Sequence, residues 1–220
     1  MSSLKETTLR PTIAILLCIL FTGIFVFFAV GISRDTMIGF DRPIIQTVQG
    51  WEASWLTPIM NAFTLIGSTK AVIFLIIAVT ALLYWVFRAR SSAYFFFFAL
   101  IGTGVLNQSL KIIFKRARPE FHRLAEATGY SFPSGHTMMA FSLYTMAVIL
   151  LWRQLRTTTA KIVLLAFAVF MFGMIAISRI YLGVHYPSDI AGGISASAFW
   201  IILTVALFDH FQRRKKRSPV

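Results

Sequence analysis

Charge is what this chain has least of. Asp, Glu, Lys and Arg make up only 13% of its 220 residues, roughly half the share usual in a soluble domain, which excludes an ordinary water-soluble enzyme. Acidic residues are scarcer still, eight against 21 Lys and Arg. Cysteine occurs once, as Cys18, and one thiol forms no intrachain disulfide, so a disulfide-stapled scaffold is excluded. No polar stretch is long enough to display the net charge of +13 to nucleic acid. Internal repeats and low-complexity tracts are absent, and residues 1–220 read as one domain.

What fills the chain instead is apolar. Hydrophobic residues reach 57%, with 22 Phe, and the mean hydropathy is +0.75. These values specify an integral membrane protein. Charged or imidazole side chains separate six apolar runs: Pro11–Ser33, Ala71–Phe87, Ser91–Leu110, Thr137–Trp152, Ile162–Ser178 and Ile190–Phe208. Unpaired backbone groups are too costly in hydrocarbon, so each run is expected to be helical. The predicted fold class is therefore an all-α integral membrane protein with six transmembrane helices. Lys5 and Arg10 precede the first run as they would in a signal peptide. Its length exceeds the roughly 7–15 apolar residues of a signal core and no small-residue cleavage site follows, so a retained anchor is expected.

Between the first two runs, Ile44, Ile45 and Val48 recur at helical spacing, as do Trp51, Trp55, Ile59 and Phe63. Short interfacial helices are expected here, with both Trp at headgroup depth. They would either cover the bundle or gate access to it.

Six spans place both termini on one side. That side holds Lys5, Arg10, Arg88, Arg90, Arg153, Arg156, Lys161 and the Arg213-Arg214-Lys215-Lys216-Arg217 tail, twelve cations against nine on the other. Three of the nine, Lys111, Arg118 and Arg179, are candidates for chemistry. Cationic loops stay inside, so the expected location is the plasma membrane, multi-pass. Both termini would be cytoplasmic and the loops at 34–70, 112–136 and 179–189 extracytoplasmic.

Those outer loops carry three polar clusters. Lys111 and Arg118 are seven residues apart, about two helical turns, and are expected on one helix face before Pro119 turns the chain away. The neighbouring Lys115 and Arg116 are expected to reach for headgroups. Ser131-Phe132-Pro133-Ser134-Gly135-His136 leads into the fourth span. Ser134 suits an N-cap, Gly135 permits close backbone approach, and a helix N-terminus attracts anions. In the third cluster, Ser178 and Arg179 precede His185, Tyr186, Pro187, Ser188 and Asp189. Pro187 fits a first helical turn. Asp189, four residues beyond His185, can hold one imidazole nitrogen as N–H and leave the other nucleophilic. Each cluster alone also suits an ordinary helix end. Together they supply positioned cations, a nucleophile and a proton donor, the needs of phosphoryl transfer.

Lys111-x6-Arg118-Pro119, Pro133-Ser134-Gly135-His136 and Ser178-Arg179-x5-His185-x3-Asp189 resemble, without departure, the three-part signature of the type 2 phosphatidic acid phosphatase superfamily. The motifs span about 80 residues, and the six-span layout extends the likeness over nearly the whole chain. The resemblance implies that Lys111, Arg118 and Arg179 bind phosphoryl oxygens, with hydroxyl and amide donors from Ser134 and Gly135. It implies that His185 attacks phosphorus, Asp189 orients it, and His136 protonates the leaving oxygen. Bacterial members of this size act on phosphatidylglycerophosphate or undecaprenyl pyrophosphate, and those lipid phosphates are the implied substrates. No metal or other cofactor is expected, because the outer clusters lack the several carboxylates a Mg²⁺ site requires. Beyond the lipid phosphate and the bilayer, no nucleic acid and no obligatory protein partner is expected. The competing readings are a broad phosphatidic acid phosphatase, a vanadium haloperoxidase and a non-catalytic lipid transporter. The haloperoxidases are soluble and much longer. A transporter would show inverted repeats and midplane charges, whereas charges here lie at span ends.

Overall fold

The computed structural model describes residues 10–217 apart from 121 and 153, with side chains through Arg214. Lys5, Arg153 and the side chains of Lys215, Lys216 and Arg217, counted above among the inner cations, lie outside the described residues. Among the described residues, all regular structure is helical: α1 (Pro11–Ser33), α2 (Ile38–Gln49), α3 (Leu56–Ile66), α4 (Thr69–Ala81), α5 (Arg90–Phe114), α6 (Gly135–Trp152), α7 (Thr158–Tyr181) and α8 (Pro187–Arg217). A π-helical turn, Leu82–Val86, continues α4. Six of these are long and apolar enough to cross a membrane: α1, α4 with its π turn, and α5 to α8.

Local chemistry marks where the helices start. Ser68 and Thr157 cap α4 and α7, each accepting from the amide three residues on. Pro11 and Pro187 occupy first turns, where the missing N–H costs nothing. Several helices run past the ends expected from the sequence. α5 continues beyond Lys111 to Phe114, α7 beyond Arg179 to Tyr181, and α8 begins ahead of Asp189. α5 then stops sharply at Lys115, whose φ of 46° is left-handed. Arg118 therefore does not share a helix face with Lys111, contrary to expectation, and reaches its position through the loop that follows.

The helices pack through small residues, as expected where lipid supplies no hydrophobic drive between helices. On α8, Ala196, Ser197 and Ala198 are buried, and α8 packs against α1, α5 and α6. A Cβ at Gly192 would collide with the ring of Phe132, so that glycine seats the Phe132 anchor of the second motif. Phe132 in turn stacks on Phe25 of α1 and meets Phe114 of α5 edge-on, at centroid distances of 5.7 and 5.1 Å. Elsewhere α1 turns Leu16, Ile19 and Phe27 outward, as a lipid-facing helix should.

The interfacial segment is two helices, as expected, but Trp51 and Trp55 lie in the turns between them rather than along one helical face. Both Trp are exposed, while Ile45, Val48 and Met60 pack with Tyr181, Leu182 and Val184. α2 and α3 are fastened to α7 and the motif loops: Thr57 Oγ1 and Tyr181 Oη lie 2.8 Å apart, and Gln49 Nε2 donates to the carbonyl of His122 at 2.9 Å. The outcome of this layout is that α5, α6, α7 and α8 each bring the motif-bearing end to one pole of the bundle. α8 starts at that pole and α1 ends beside it, so the described residues nearest both termini lie at the opposite pole.

Candidate active site

His185 sits in the tight connection between α7 and α8, which Gly183 permits with a φ of +69°. It is 2% exposed. Its Nδ1 lies 3.3 Å from Asp189 Oδ2, the i,i+4 contact expected from the sequence. Ser131 Oγ lies 3.3 Å from the same nitrogen and also donates to Asp189 Oδ2. Oδ2 further accepts from the Tyr186 amide at 2.9 Å. On the other side of the ring, Arg118 Nη1 stands 3.1 Å from Nε2. A guanidinium only donates, so Nε2 accepts and the ring proton belongs on Nδ1, toward Asp189. Burial pushes the His185 imidazole down to about 4; the Asp189 hydrogen bond and charge oppose this, and Arg179 and Arg118 reinforce it. The ring is therefore neutral, with its lone pair on Nε2.

Arg118 is held almost wholly by backbone carbonyls. Nε donates to Gly129 at 3.0 Å, Nη2 to Thr128 at 2.9 Å and Nη1 to Val184 at 2.9 Å. The fork geometry of guanidinium suits such multiple docking. Lys111 donates to the carbonyl of Tyr130 from the last turns of α5. Arg179 donates through Nη1 to Thr64 of α3, and its buried Nε has no hydrogen-bond partner among the described residues. A buried, under-satisfied guanidinium is a donor prepared for an anion.

One cavity of about 940 Å³ is lined by all three cations together with His185, His136 and Gly135. Its wall continues along α4 and α5 through Val72, Ile73, Ile76, Leu100 and Ile101. Leu100 lies eleven residues before Lys111, about 16 Å down the helix. Ile73 and Ile101 are about half exposed on the bundle's flank. The cavity thus joins a cationic pole to an apolar side wall.

The α6 N-terminus is built around Ser134. This residue caps the helix as anticipated, accepting from the amide and hydroxyl of Thr137 at 3.4 and 3.0 Å. It is fully buried, outside the cavity lining, and its amide donates to the carbonyl of Asp189 at 3.2 Å. Its hydroxyl oxygen thus serves the helix as an acceptor, and neither bond uses its O–H proton. Gly135 lines the cavity, and a Cβ there would sit 3.0 Å from Asn107 Oδ1, which holds the Pro133 carbonyl through Nδ2 at 3.2 Å. His136 occupies the first turn of α6; a Cβ on Gly67 would approach its ring to 3.2 Å.

A second correction concerns Arg116. Expected among the headgroups, it lies instead behind the histidine, its side chain 14% exposed, with its guanidinium 3.9 Å over the Tyr186 ring. Nη1 donates to Asp189 Oδ1 at 2.6 Å and Nη2 to Asp41 Oδ2 at 2.9 Å. Lys115 does remain exposed. Asp41, Ser131, Thr64 and Asn107 have no role that the sequence alone assigns, and Arg116 has none in the site. Ser131 stood inside a motif, whereas Asp41 and Thr64 carried no local signal.

The model of the PAP2 superfamily matches residues 92–213. Phosphatidylglycerophosphatase B of Bacillus subtilis is 27% identical over 200 residues, covering 89% of this chain and 98% of that protein. The protein of the same name from Escherichia coli K12 is 43% identical over 79 residues, 36% of this chain and 28% of its own. Among solved structures, a transmembrane PAP2-type phosphatidylglycerolphosphate phosphatase from Bacillus subtilis superposes with a TM-score of 0.78 at 25% identity, covering 92% of this chain and 98% of that one. The chain belongs to the PAP2 superfamily, among its membrane-embedded lipid phosphatases.

Proposed function

We propose that this phosphatase removes phosphate from phosphatidylglycerophosphate, undecaprenyl pyrophosphate or both, at the extracytoplasmic face, through a phosphohistidine on His185. The observation that carries the reading is the single cavity that gathers Lys111, Arg118, Arg179, His136 and His185 at one end and runs into an apolar flank at the other. A phosphate on a long chain has that same division. The head would be held by the three cations and by the amides at the start of α6, with the chain lying along α4 and α5.

In the first step His185 Nε2 attacks phosphorus as the bond from phosphorus to the lipid oxygen breaks, and His136 gives that oxygen its proton. Asp189 accepts the hydrogen bond from Nδ1–H and balances the positive charge that grows on the ring. In the second step water attacks phosphorus, gives a proton to His136, and the P–N bond breaks to release phosphate and restore the enzyme. The cytoplasmic placement of both termini rests on the cation excess at the pole away from the site. Support for phosphatidylglycerophosphate comes from the names of the relatives, and for the pyrophosphate from the fit of a long-chain phosphate to the cavity.

The test is a side-by-side turnover assay of purified protein on phosphatidylglycerophosphate, phosphatidic acid and undecaprenyl pyrophosphate, with and without EDTA. Turnover of the first or third above the second, unchanged by chelator, is expected. Preference for phosphatidic acid would replace the substrate reading, and loss of activity with EDTA restored by Mg²⁺ would replace the mechanism. Rapid quenching with ³²P-labelled lipid should trap an acid-labile phosphoenzyme in the wild type and none in His185→Gln.

A further inference from the structure

Three charges, two of them fully buried, lie behind His185, and the reaction described above uses only one of them. Asp189 and Asp41 are both 0% exposed, and Arg116 bridges them. Asp41 comes from the first turn of α2, Arg116 from the loop after α5, and Asp189 from the first turn of α8. Both Asp41 oxygens are engaged at α8 as well: Oδ1 accepts from the Ser188 amide and Oδ2 from the Ser188 hydroxyl, each at 2.7 Å. The Ser188 hydroxyl also accepts from Arg116 Nη1 at 2.8 Å.

Such a cluster is costly to bury and is often replaceable by apolar residues with no loss of stability. Its geometry suggests a different use. Asp189 presents Oδ2 to His185 and Oδ1 to Arg116. Arg116 alone would cancel the charge that Asp189 is meant to lend the imidazole. The surroundings of His185 are otherwise cationic, with Arg118 and Arg179 bearing on it and Lys111 lining the same cavity. A carboxylate on the far side of Arg116 returns the triad to a net charge of −1.

We propose that Asp41 and Arg116 are positioning residues for the phosphatase reaction: Arg116 fixes Asp189 with Oδ2 toward His185, and Asp41 supplies the counter-charge that leaves Asp189 free to stabilise a positively charged His185. The proposal rests on His185 as the nucleophile. It separates the interfacial helix α2 from a mere cover, because α2 then contributes a charge to the chemistry without touching substrate.

The experiment uses the full chain in detergent micelles, with phosphatidylglycerophosphate and undecaprenyl pyrophosphate as probes. Wild-type turnover and phosphoenzyme trapping are measured first, and failure at that stage counts against the function proposed above rather than against this inference. Asp41→Asn keeps the shape and removes the charge. It should lower kcat roughly 10- to 100-fold with KM within about twofold. Vanadate, which must bond to His185 to mimic the transition state, should inhibit it more weakly by a similar factor, while inhibition by inorganic phosphate stays unchanged. Removing the cation as well, in Asp41→Asn/Arg116→Gln, should recover part of the lost kcat, because Asp189 is then no longer neutralised. A scaffold role predicts the reverse, a deeper loss in the double variant and equal weakening of vanadate and phosphate, and that result would overturn the proposal. Should the double variant fail to fold, as judged by size-exclusion profile and Tm, the vanadate-to-phosphate inhibition ratio of Asp41→Asn decides alone.

Discussion

Arg118 Nη1 donates to His185 Nε2 at 3.1 Å, so the lone pair needed for attack is occupied by one of the cations that would bind the phosphate. An incoming phosphoryl group must take over this guanidinium, and in doing so it uncovers the nucleophile. Binding and activation are thereby coupled in one side chain. Arg118→Lys keeps the charge but loses the fork that docks on Gly129, Thr128 and Val184. We expect kcat/KM to fall by about 10²–10³-fold, as for loss of a transition-state donor. Hydrogen exchange should also rise at residues 128–130, whose carbonyls the guanidinium ties down. Near-normal kcat/KM in Arg118→Lys would show that a point charge is enough and that the fork only shapes the loop.

The environment of His185 sets a pH dependence. Burial holds the folded-state imidazole at about 4, against 6.5 in the unfolded chain. Between those values the unfolded state binds the proton and the folded state does not, so stability is fully present above 6.5 and declines as pH falls toward 4. Tm in detergent should therefore drop between pH 7 and pH 5, and drop less in His185→Gln. Ring resonances of selectively labelled histidine, assigned with the same variant, should show His185 still neutral at pH 5.5. A midpoint near 6.5 would mean that water reaches the ring freely.

The same three motifs that were legible in the sequence converge on one cavity, because each stands at a helix end and neighbouring spans alternate direction. The limits of that reading have physical causes. Charges bound the apolar runs in the sequence, yet Lys111, Arg179 and Asp189 lie inside helices. They are tolerated there because they face the cavity or the buried network instead of lipid. Arg116 stood in a basic stretch that looks like any headgroup-facing segment, and its two carboxylate partners are 75 and 73 residues away in sequence. No local pattern signals a pairing of that range. Ser134 is a cap, as its place before the fourth run suggests, and its hydroxyl oxygen accepts from Thr137.

Orientation in the membrane is open to direct labelling. Cys18 lies within α1, inside the span Pro11–Ser33, so new cysteines can be read against a membrane-embedded background. A cysteine placed at Glu126, in the loop over the cavity, should react with an impermeant maleimide in cells whose outer barrier is absent or removed. One placed at Arg156, between α6 and α7, should react only after lysis. The opposite pattern would turn the site to the cytoplasm and change the leaflet from which substrate is drawn.

The role of His136 depends on the leaving group, and that dependence separates the two candidate substrates. Cleaving phosphatidylglycerophosphate expels an alkoxide, a poor leaving group unless it is protonated as the bond breaks. Cleaving undecaprenyl pyrophosphate expels a lipid phosphate, which already carries negative charge comfortably. Loss of a general acid usually costs about 10²–10⁴-fold, and the full cost should appear only with the monoester. His136 lines the cavity, and its ring makes no hydrogen bond to a described residue, so it is available to a bound phosphate ester. Its removal leaves Lys111, Arg118 and Arg179 in place, and KM should change little for either lipid. We therefore expect His136→Ala to reduce kcat on phosphatidylglycerophosphate by about that factor and on undecaprenyl pyrophosphate by clearly less. The two values of kcat should be measured at matched detergent and pH, with His136→Gln as a hydrogen-bonding control that cannot titrate. Equal losses on both lipids, with recovery in His136→Gln, would assign His136 to holding the phosphate and leave proton delivery to water.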